Sequence, residues 1–278
     1  MGAFWRRIVV NEPSGSRGTG TGASVTVTAG VAEELQRRLL RLVAAHSAGD
    51  RGVDYAALRA SADFRDVDAC AARLVHVDPL RLGSRDARLA FWINVYNALV
   101  LHGIVTLGVR RTLWEVWNFF GRVSYRIGAF VLSVDEIEHG ILRGNCRRRL
   151  PPVLPFRSGD PRRALVLDPV DPRIHFAINC GSRSCPPVAV YRADALEAQL
   201  DLAARGFVNE EVVLDPRGRV ECSRLLEWYG GDFEVAGGLG PFLVRHLDDG
   251  PVRAALVAGA PPCEVFRPYS WSVGHRVA

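Results

Sequence analysis

From Ser84 to Gly108 the chain carries a run that constrains the whole fold. Leu89 to Val109 is apolar almost throughout, behind the polar lead Ser84-Arg85-Asp86-Ala87-Arg88. Ser84 suits an N-cap, Asp86 complements the helix dipole and Gly108 suits a left-handed stop, so the run predicts one long helix. Most of its faces are apolar, which places it at the centre of a core. It also contains Asn94, Asn97 and His102, which are costly in lipid, so a buried helix explains it better than a membrane span. At 100° per residue Ala90, Asn94, Asn97, Ala98 and Leu101 share a face. Two buried amides there need partners. Either they bond to the backbone of a neighbouring loop, or they face a site and orient a ligand or a reactive loop.

The second informative stretch is Arg173-Ile174-His175-Phe176-Ala177-Ile178-Asn179-Cys180-Gly181-Ser182-Arg183-Ser184-Cys185-Pro186-Pro187. Ile174, Phe176 and Ile178 alternate with His175, Ala177 and Asn179, which predicts a strand with one apolar and one polar face. Gly181 and the serines end it, and Pro186-Pro187 stiffens the chain beyond. This loop concentrates two thiols, an imidazole, an amide and two guanidinium groups.

Elsewhere, Pro13 to Ala29 is rich in Gly, Ser and Thr and reads as a tether. Helices are expected over about Val31–His46, Tyr55–Ala60, Phe64–Leu74, from Asp194 to Gly206, and at Pro241–Leu247 and Pro251–Ala258. Leu225 to Phe233 reads as a helix end with an aromatic knot. Tyr125 to Val134 predicts a hairpin turning at Gly128-Ala129, and Leu214 to Cys222 another at Pro216-Arg217-Gly218. Ser133-Val134-Asp135-Glu136 is a capping box opening a short helix that carries Glu138 and His139. Arg143 to Arg163 reads as an irregular, solvated arm, with too few aromatics to suggest a nucleic-acid surface. Glu264 to Val273 reads as a last strand. Long helices with scattered strands and no βαβ alternation predict an α+β fold: a flexible segment over 1–30, then one globular domain over 31–278, mainly helical with a small, mostly antiparallel sheet.

Composition removes several chemistries. All 35 basic side chains are Arg, since the sequence contains no Lys. Schiff-base catalysis, lysine-anchored pyridoxal phosphate and a P-loop lysine are therefore excluded. The six Cys lack the regular spacing of a secreted disulfide scaffold. Arg6-Arg7 is followed by too short an apolar run for a signal-peptide core, so a cytoplasmic protein with mostly reduced thiols is expected. No cofactor is legible.

Several segments together resemble the domain-of-unknown-function family numbered 547. They are Ala90-Phe91-Trp92-Ile93-Asn94-Val95-Tyr96-Asn97-Ala98-Leu99, Glu138-His139-Gly140-Ile141-Leu142-Arg143, Asp171 to Gly181 with Ser184-Cys185-Pro186, Trp228-Tyr229 with Asp232-Phe233, and Tyr269-Ser270-Trp271-Ser272. The resemblance spans roughly Val53 to Val273. It departs from the family's usual ending, with Ser270 where an acidic residue is expected and Gly274 where Asn is expected. It implies a shared domain and no established activity.

The residues themselves offer four readings. Cys180 or Cys185 could act as a nucleophile with His175 or His139 as base, the loop amides and Arg183 forming an anion nest. On an extended segment, however, His175 and Cys180 stand about 17 Å apart and face opposite ways, so the loop must fold back. The likeness to papain-like and transglutaminase-like sites is analogy alone. A zinc site could use His175, Cys180 and Cys185 with Cys146, Cys222 or Cys263, although C-x4-C is looser than most zinc knuckles. A Cys180–Cys185 disulfide could act as a redox switch. Lastly, the loop could be a structural keystone of a module that binds another protein or a small ligand, with Trp92, Trp228 and Trp271 in its core. Asn94, Asn97, Glu138, Arg173, Asn179 and Arg183 are the expected site-lining residues.

Overall fold

A computed structural model describes residues 6–12, 25–46, 53–147 and 152–273. In chain order the elements are β1 (Ile8–Val9), α1 (Val25–His46), α2 (Tyr55–Ala60), α3 (Ala62–Ala72), α4 (Arg85–Leu107), α5 (Phe119–Arg122), β2 (Val123–Ile127) and β3 (Phe130–Ser133). After the thiol loop come α6 (Leu196–Glu211), β4 (Val213–Leu214), β5 (Val220–Cys222), α7 (Arg224–Trp228), α8 (Leu239–His246), α9 (Pro251–Val257) and β6 (Val265–Phe266). The architecture is α+β and mainly helical, with two three-stranded sheets ordered β1-β2-β3 and β4-β5-β6. Each sheet pairs one neighbour antiparallel and the other parallel.

The central helix is the one the sequence predicts. Ser84 Oγ accepts from Ala87 N, and Gly108 closes α4 at φ 67°, donating to Ile104 and Val105. From Leu89 to Val105 every residue is buried. α4 is also the one helix among the described residues long and apolar enough to cross a membrane, yet it packs inside the fold. Its Asn94 exchanges both amide bonds with the backbone of Tyr191, at 2.7 and 2.9 Å. Asn97 donates to the carbonyls of Ala177 and Ala189 and accepts from Asn179 N at 2.8 Å. The two amides thus clamp backbone on both sides of the thiol loop, and Asn97 holds the loop's first turn directly.

One apolar cluster surrounds α4, built from α1, α3, β2, β3 and the segment around Ile141. A second joins Phe176 to α6, α7, α8 and the Phe233 turn. The α1 stripe Val31, Leu35, Leu39 and Leu42 is fully buried, as helical spacing requires. α1 begins at Val25, earlier than the sequence suggests, because Thr28 is buried and its Oγ1 accepts from Asp78 N. The tether expected over 13–29 is therefore helix from Val25, and its first part lies outside the described residues. At the chain's start Asn11 is buried and bonds Ala71 O and both backbone groups of Arg126, fixing β1 beside β2.

Both predicted hairpins form, β2–β3 and β4–β5. The capping box also forms, with Glu136 bonded to Ser133 N and Ser133 Oγ taking Glu136 N. It opens a π-helical stretch, Glu136–Leu142. Gly140 sits within it because a Cβ there would lie 2.5 Å from the buried Phe156 ring. Gly206 does not end a helix: α6 continues to Glu211, its buried Ala204, Phe207 and Val208 holding the extra turn. The last strand shrinks to β6 plus bridges at Ser272 and Val273. The arm after Arg143 is not uniformly solvated. Arg143 is half-buried against Asp232, and Arg162 pairs with Asp160 and Glu136.

The main correction concerns Arg173 to Asn179. It is no strand: Pro172–Phe176 forms a 3₁₀ turn, opened by Asp171 accepting from Arg173 N. Ile174 through Asn179 are all buried, so both faces of the segment are covered and the alternation carries no strand signal. A short turn led by a proline needs no ladder partner, and no described strand pairs with it. The 17 Å separation inferred from strand rise therefore does not apply.

His102 gives the fold a pH dependence. Buried with Tyr125 Oη 2.9 Å from Nδ1, it has its pKa pushed down to about 4 by burial, with Asp68 partly opposing. Burial also lowers His175. A histidine lowered on folding takes up its proton in the unfolded chain first, so stability is full above about pH 6.5 and declines as pH falls towards 4. Urea titrations at pH 7.5 and 4.5 should show a loss of about 3 kcal/mol from His102. His102→Gln should flatten that part of the slope; an unchanged slope would refute the assignment.

Candidate functional site

The thiol loop is fixed by the amides before it and by the chain's last segment. Asn179 donates to Pro186 O and accepts from Gly181 N at 2.7 Å, closing the loop on itself. Gly181 holds φ +84°, and a Cβ there would collide with the Ile104 side chain of α4. Only glycine lets the loop press this closely on the central helix. From the other side Arg183 N donates to Ser272 O and Ser270 N to Ser184 Oγ.

This brings Tyr269 against both thiols. Its hydroxyl lies 3.3 Å from Cys180 Sγ and 3.2 Å from Cys185 Sγ. Ser182 Oγ lies 2.8 Å from Tyr269 Oη and 3.1 Å from Cys180 Sγ, so the two hydroxyls and the two sulfurs form one hydrogen-bonded cluster. Cys180 N donates to Cys185 Sγ at 3.0 Å, so the two thiols are neighbours. Burial raises the pKa of Cys180, but donors from Cys185, Ser182 and Tyr269 outweigh it and bring the thiol below its ordinary value. Cys185 moves the other way, raised by burial and by Cys180. Of the two, Cys180 is therefore the thiol that ionises first, while Cys185 keeps its proton.

A cavity of about 180 Å³ lies over these sulfurs. Its wall includes Glu138, His139, His175, Tyr229, Trp228 and Trp271. Glu138 is buried and accepts from Tyr96 Oη at 3.0 Å and Tyr229 Oη at 2.7 Å. Burial raises its pKa, yet His139, Arg143 and the Tyr229 hydroxyl prevail and it is held ionised. Arg143 donates to His139 Nδ1 at 2.7 Å, which leaves the imidazole's proton on Nε2. The same guanidinium grips Asp232 with two bonds, at 2.5 and 3.0 Å, and lies 4.8 Å from the Tyr229 ring centre.

His175 is the other half of the arrangement. Its side chain is 1% exposed, stacks on Tyr229 at 3.9 Å and donates Nε2–H to Asp232 Oδ2 at 2.8 Å. Burial works against the Asp232 charge, but His175 and Arg143 hold its pKa far below the carboxylate range. With the proton fixed on Nε2, Nδ1 carries the lone pair, and it has no hydrogen-bond partner. One cavity is therefore lined by a thiol with a lowered pKa and by an oriented imidazole whose second nitrogen is uncommitted.

Of the expected residues, Cys180, Cys185, His175, His139 and Glu138 meet at this cavity. Asn94, Asn97 and Asn179 do not line it; they support the loop that does. Arg173 is turned to Asp171 and Glu197 and takes no part. Of the amides expected in an anion nest, those of Gly181 and Arg183 are spent on Asn179 and Ser272, that of Ser182 is turned to the Cys180 sulfur, and Arg183 does not line the cavity. Neither imidazole is bonded to a sulfur, because Arg143 and Asp232 occupy one nitrogen of each. Trp92 is core, as its sequence context predicts, but Trp228 and Trp271 are half-buried cavity wall.

For zinc, Cys222 and Cys263 are joined in a disulfide and cannot serve as ligands. Among the described residues no group of three or more His, Cys, Asp or Glu is placed to hold a metal ion. Sequence reasoning missed Asp232, Tyr269, Ser182, Tyr96 and Arg143 as site groups. The motif segments contain Tyr96, Arg143, Asp232 and Tyr269 without giving them a role, and Ser182 lies within the thiol loop between the quoted motifs.

Residues 80–208 match the model of a family described as "Protein of unknown function, DUF547". No curated protein and no solved structure matches the chain. The matched stretch contains α4, Glu138, His139 and the thiol loop, while Tyr229, Asp232 and Tyr269 come from beyond it.

Proposed function

We propose that this chain, whose residues 80–208 carry the DUF547 family domain, is a thiol-dependent acyl hydrolase or transferase with Cys180 as nucleophile. The observation that carries the reading is the pairing, in one cavity, of a thiol with lowered pKa and the Asp232-oriented His175 with its partnerless Nδ1. In this scheme Cys180 passes its proton to His175 Nδ1 and its sulfur attacks an acyl carbon. The S–C bond forms as the bond to the leaving group breaks and that proton moves from His175 to the leaving group. Water or an acceptor then cleaves the thioester, its proton passing to His175 Nδ1 while Asp232 steadies the imidazolium. His139 Nε2–H is the donor offered to the oxyanion. The substrate is an acyl group of a small ligand or of another protein.

A second reading rests on the contact between the thiols. Exchange with a disulfide of another molecule would join Cys180 and Cys185 in a bridge and leave that molecule with two thiols, making the pair a dithiol redox centre. The cytoplasm is the setting we propose, given four free cysteines; the Cys222–Cys263 bridge is the observation that favours an oxidising compartment instead.

Iodoacetamide labelling of the folded protein at pH 7, mapped by mass spectrometry, tests the nucleophile. Burial pushes Cys70 up to about 11 and raises Cys146, so both serve as internal controls. Cys180 should label at least ~10-fold faster than either, following its larger thiolate fraction. A generic thioester should then leave its acyl group on Cys180. Labelling no faster than the controls ends the thiol reading, whereas fast labelling without acylation favours the dithiol.

A further inference from the structure

The lining of the cavity assigns it a kind of guest. Its charged side chains are the carboxylates of Asp135 and Glu138, and no described arginine reaches its wall in a chain where every basic residue is arginine. Glu138 is nine-tenths buried, yet its direct partners are two neutral phenols. An ionised carboxylate offers about four acceptor sites, of which two are used. The nearest basic nitrogen, His139 Nδ1, is 3.8 Å from Glu138 Oε1, beyond hydrogen-bond reach, and is itself engaged by Arg143. Arg143 itself is committed to Asp232. Arg143 balances the Glu138 carboxylate from a distance, and the carboxylate's two unused acceptor sites remain for a donor brought by a guest.

The rest of the wall is aromatic. Phe120, Trp228, Tyr229, Tyr269 and Trp271 line the cavity, and Trp271 continues to Trp114, 5.2 Å away and 64% exposed. Trp228 and Trp271 stack at 5.7 Å, and Tyr269 lies 4.8 Å from each. The faces of such rings attract cations, and the site already does this once, with Arg143 over Tyr229. At about 180 Å³ the space suits a small head group.

We propose that the substrate of this site presents an alkylammonium group, held between Glu138 and the Trp228–Trp271 aromatic wall. This deepens the thiol-enzyme reading and rests on it. The chain has no lysine to supply such a group from its own side chains, so the ammonium belongs to another molecule.

The test compares choline with its uncharged isostere 3,3-dimethylbutan-1-ol on the full-length wild-type chain. Two readouts are taken: the rate of iodoacetamide labelling at Cys180, and tryptophan fluorescence. Choline should bind roughly ten- to thirty-fold more tightly than the alcohol by both, the ratio expected for a desolvated cation–π contact. Glu138→Gln should erase that preference. Equal binding of the two compounds, tighter binding of the alcohol, or no binding of either overturns the proposal. Slow Cys180 labelling together with a choline-specific fluorescence change would instead show that the thiol reading fails while the cation site stands.

Discussion

Asn97→Leu should lower the stability of the fold by about 3–5 kcal/mol, although it swaps one side chain for another of similar size on a buried helix. The amide of Asn97 makes three bonds to backbone: to the carbonyls of Ala177 and Ala189, and from Asn179 N. Removing it leaves those groups facing a leucine in a dry interior, each costing about 1–3 kcal/mol if nothing replaces the bond. Leucine adds some apolar burial, which offsets part of the loss. Urea titration should show the midpoint falling with the slope unchanged. A loss below about 1 kcal/mol would mean that water or a rearranged loop replaces the amide. The same substitution frees the first turn of the thiol loop, so Cys180 should also lose its lowered pKa.

Tyr269→Phe should have the largest effect on reactivity while leaving the ring packing in place. The phenol is held protonated by burial and by the two thiols, and its hydroxyl, 3.3 Å from Cys180 Sγ, is placed to donate to that sulfur when it ionises. A hydrogen bond to a charged group is worth about 1.5–3 kcal/mol, and one pKa unit corresponds to about 1.4 kcal/mol. Losing a donor to the thiolate disfavours the charged form, so the midpoint of iodoacetamide labelling at Cys180 should rise by about 1–2 pH units. At pH 7 the labelling rate should fall about tenfold or more. An unmoved midpoint would show that Ser182 and Cys185 alone set the charge. Ser182→Ala, which leaves the tyrosine hydroxyl in place, should give a smaller shift in the same direction.

The helix over Arg85–Leu107 was fully legible in the chain, because cap, dipole partner, apolar run and left-handed glycine all depend on neighbours along the sequence. So were the two hairpins and the Ser133–Glu136 box, whose bonds span only a few residues. The two asparagines announced that they needed partners, and their partners are backbone. By contrast, the period-two pattern around His175 misled, since a segment covered on both sides gains nothing from alternation. Leu196–Glu211 also ran past Gly206, because burial of Phe207 and Val208 outweighs one glycine's helix cost of about 1 kcal/mol.

By itself the sequence determined the central helix, the fold class and the presence of reactive side chains around Cys180 and Cys185. Only the tertiary structure decided which of them act together. Asp232 lies 57 residues from His175, Tyr229 lies 91 from Glu138, and Tyr269 lies 89 from Cys180. Helix and hairpin bonds repeat at fixed short spacings and leave a period in the sequence. The hydrogen bonds that set a thiol's charge or fix an imidazole's tautomer act over about 3 Å of space, at whatever separation along the chain the packing around α4 brings together.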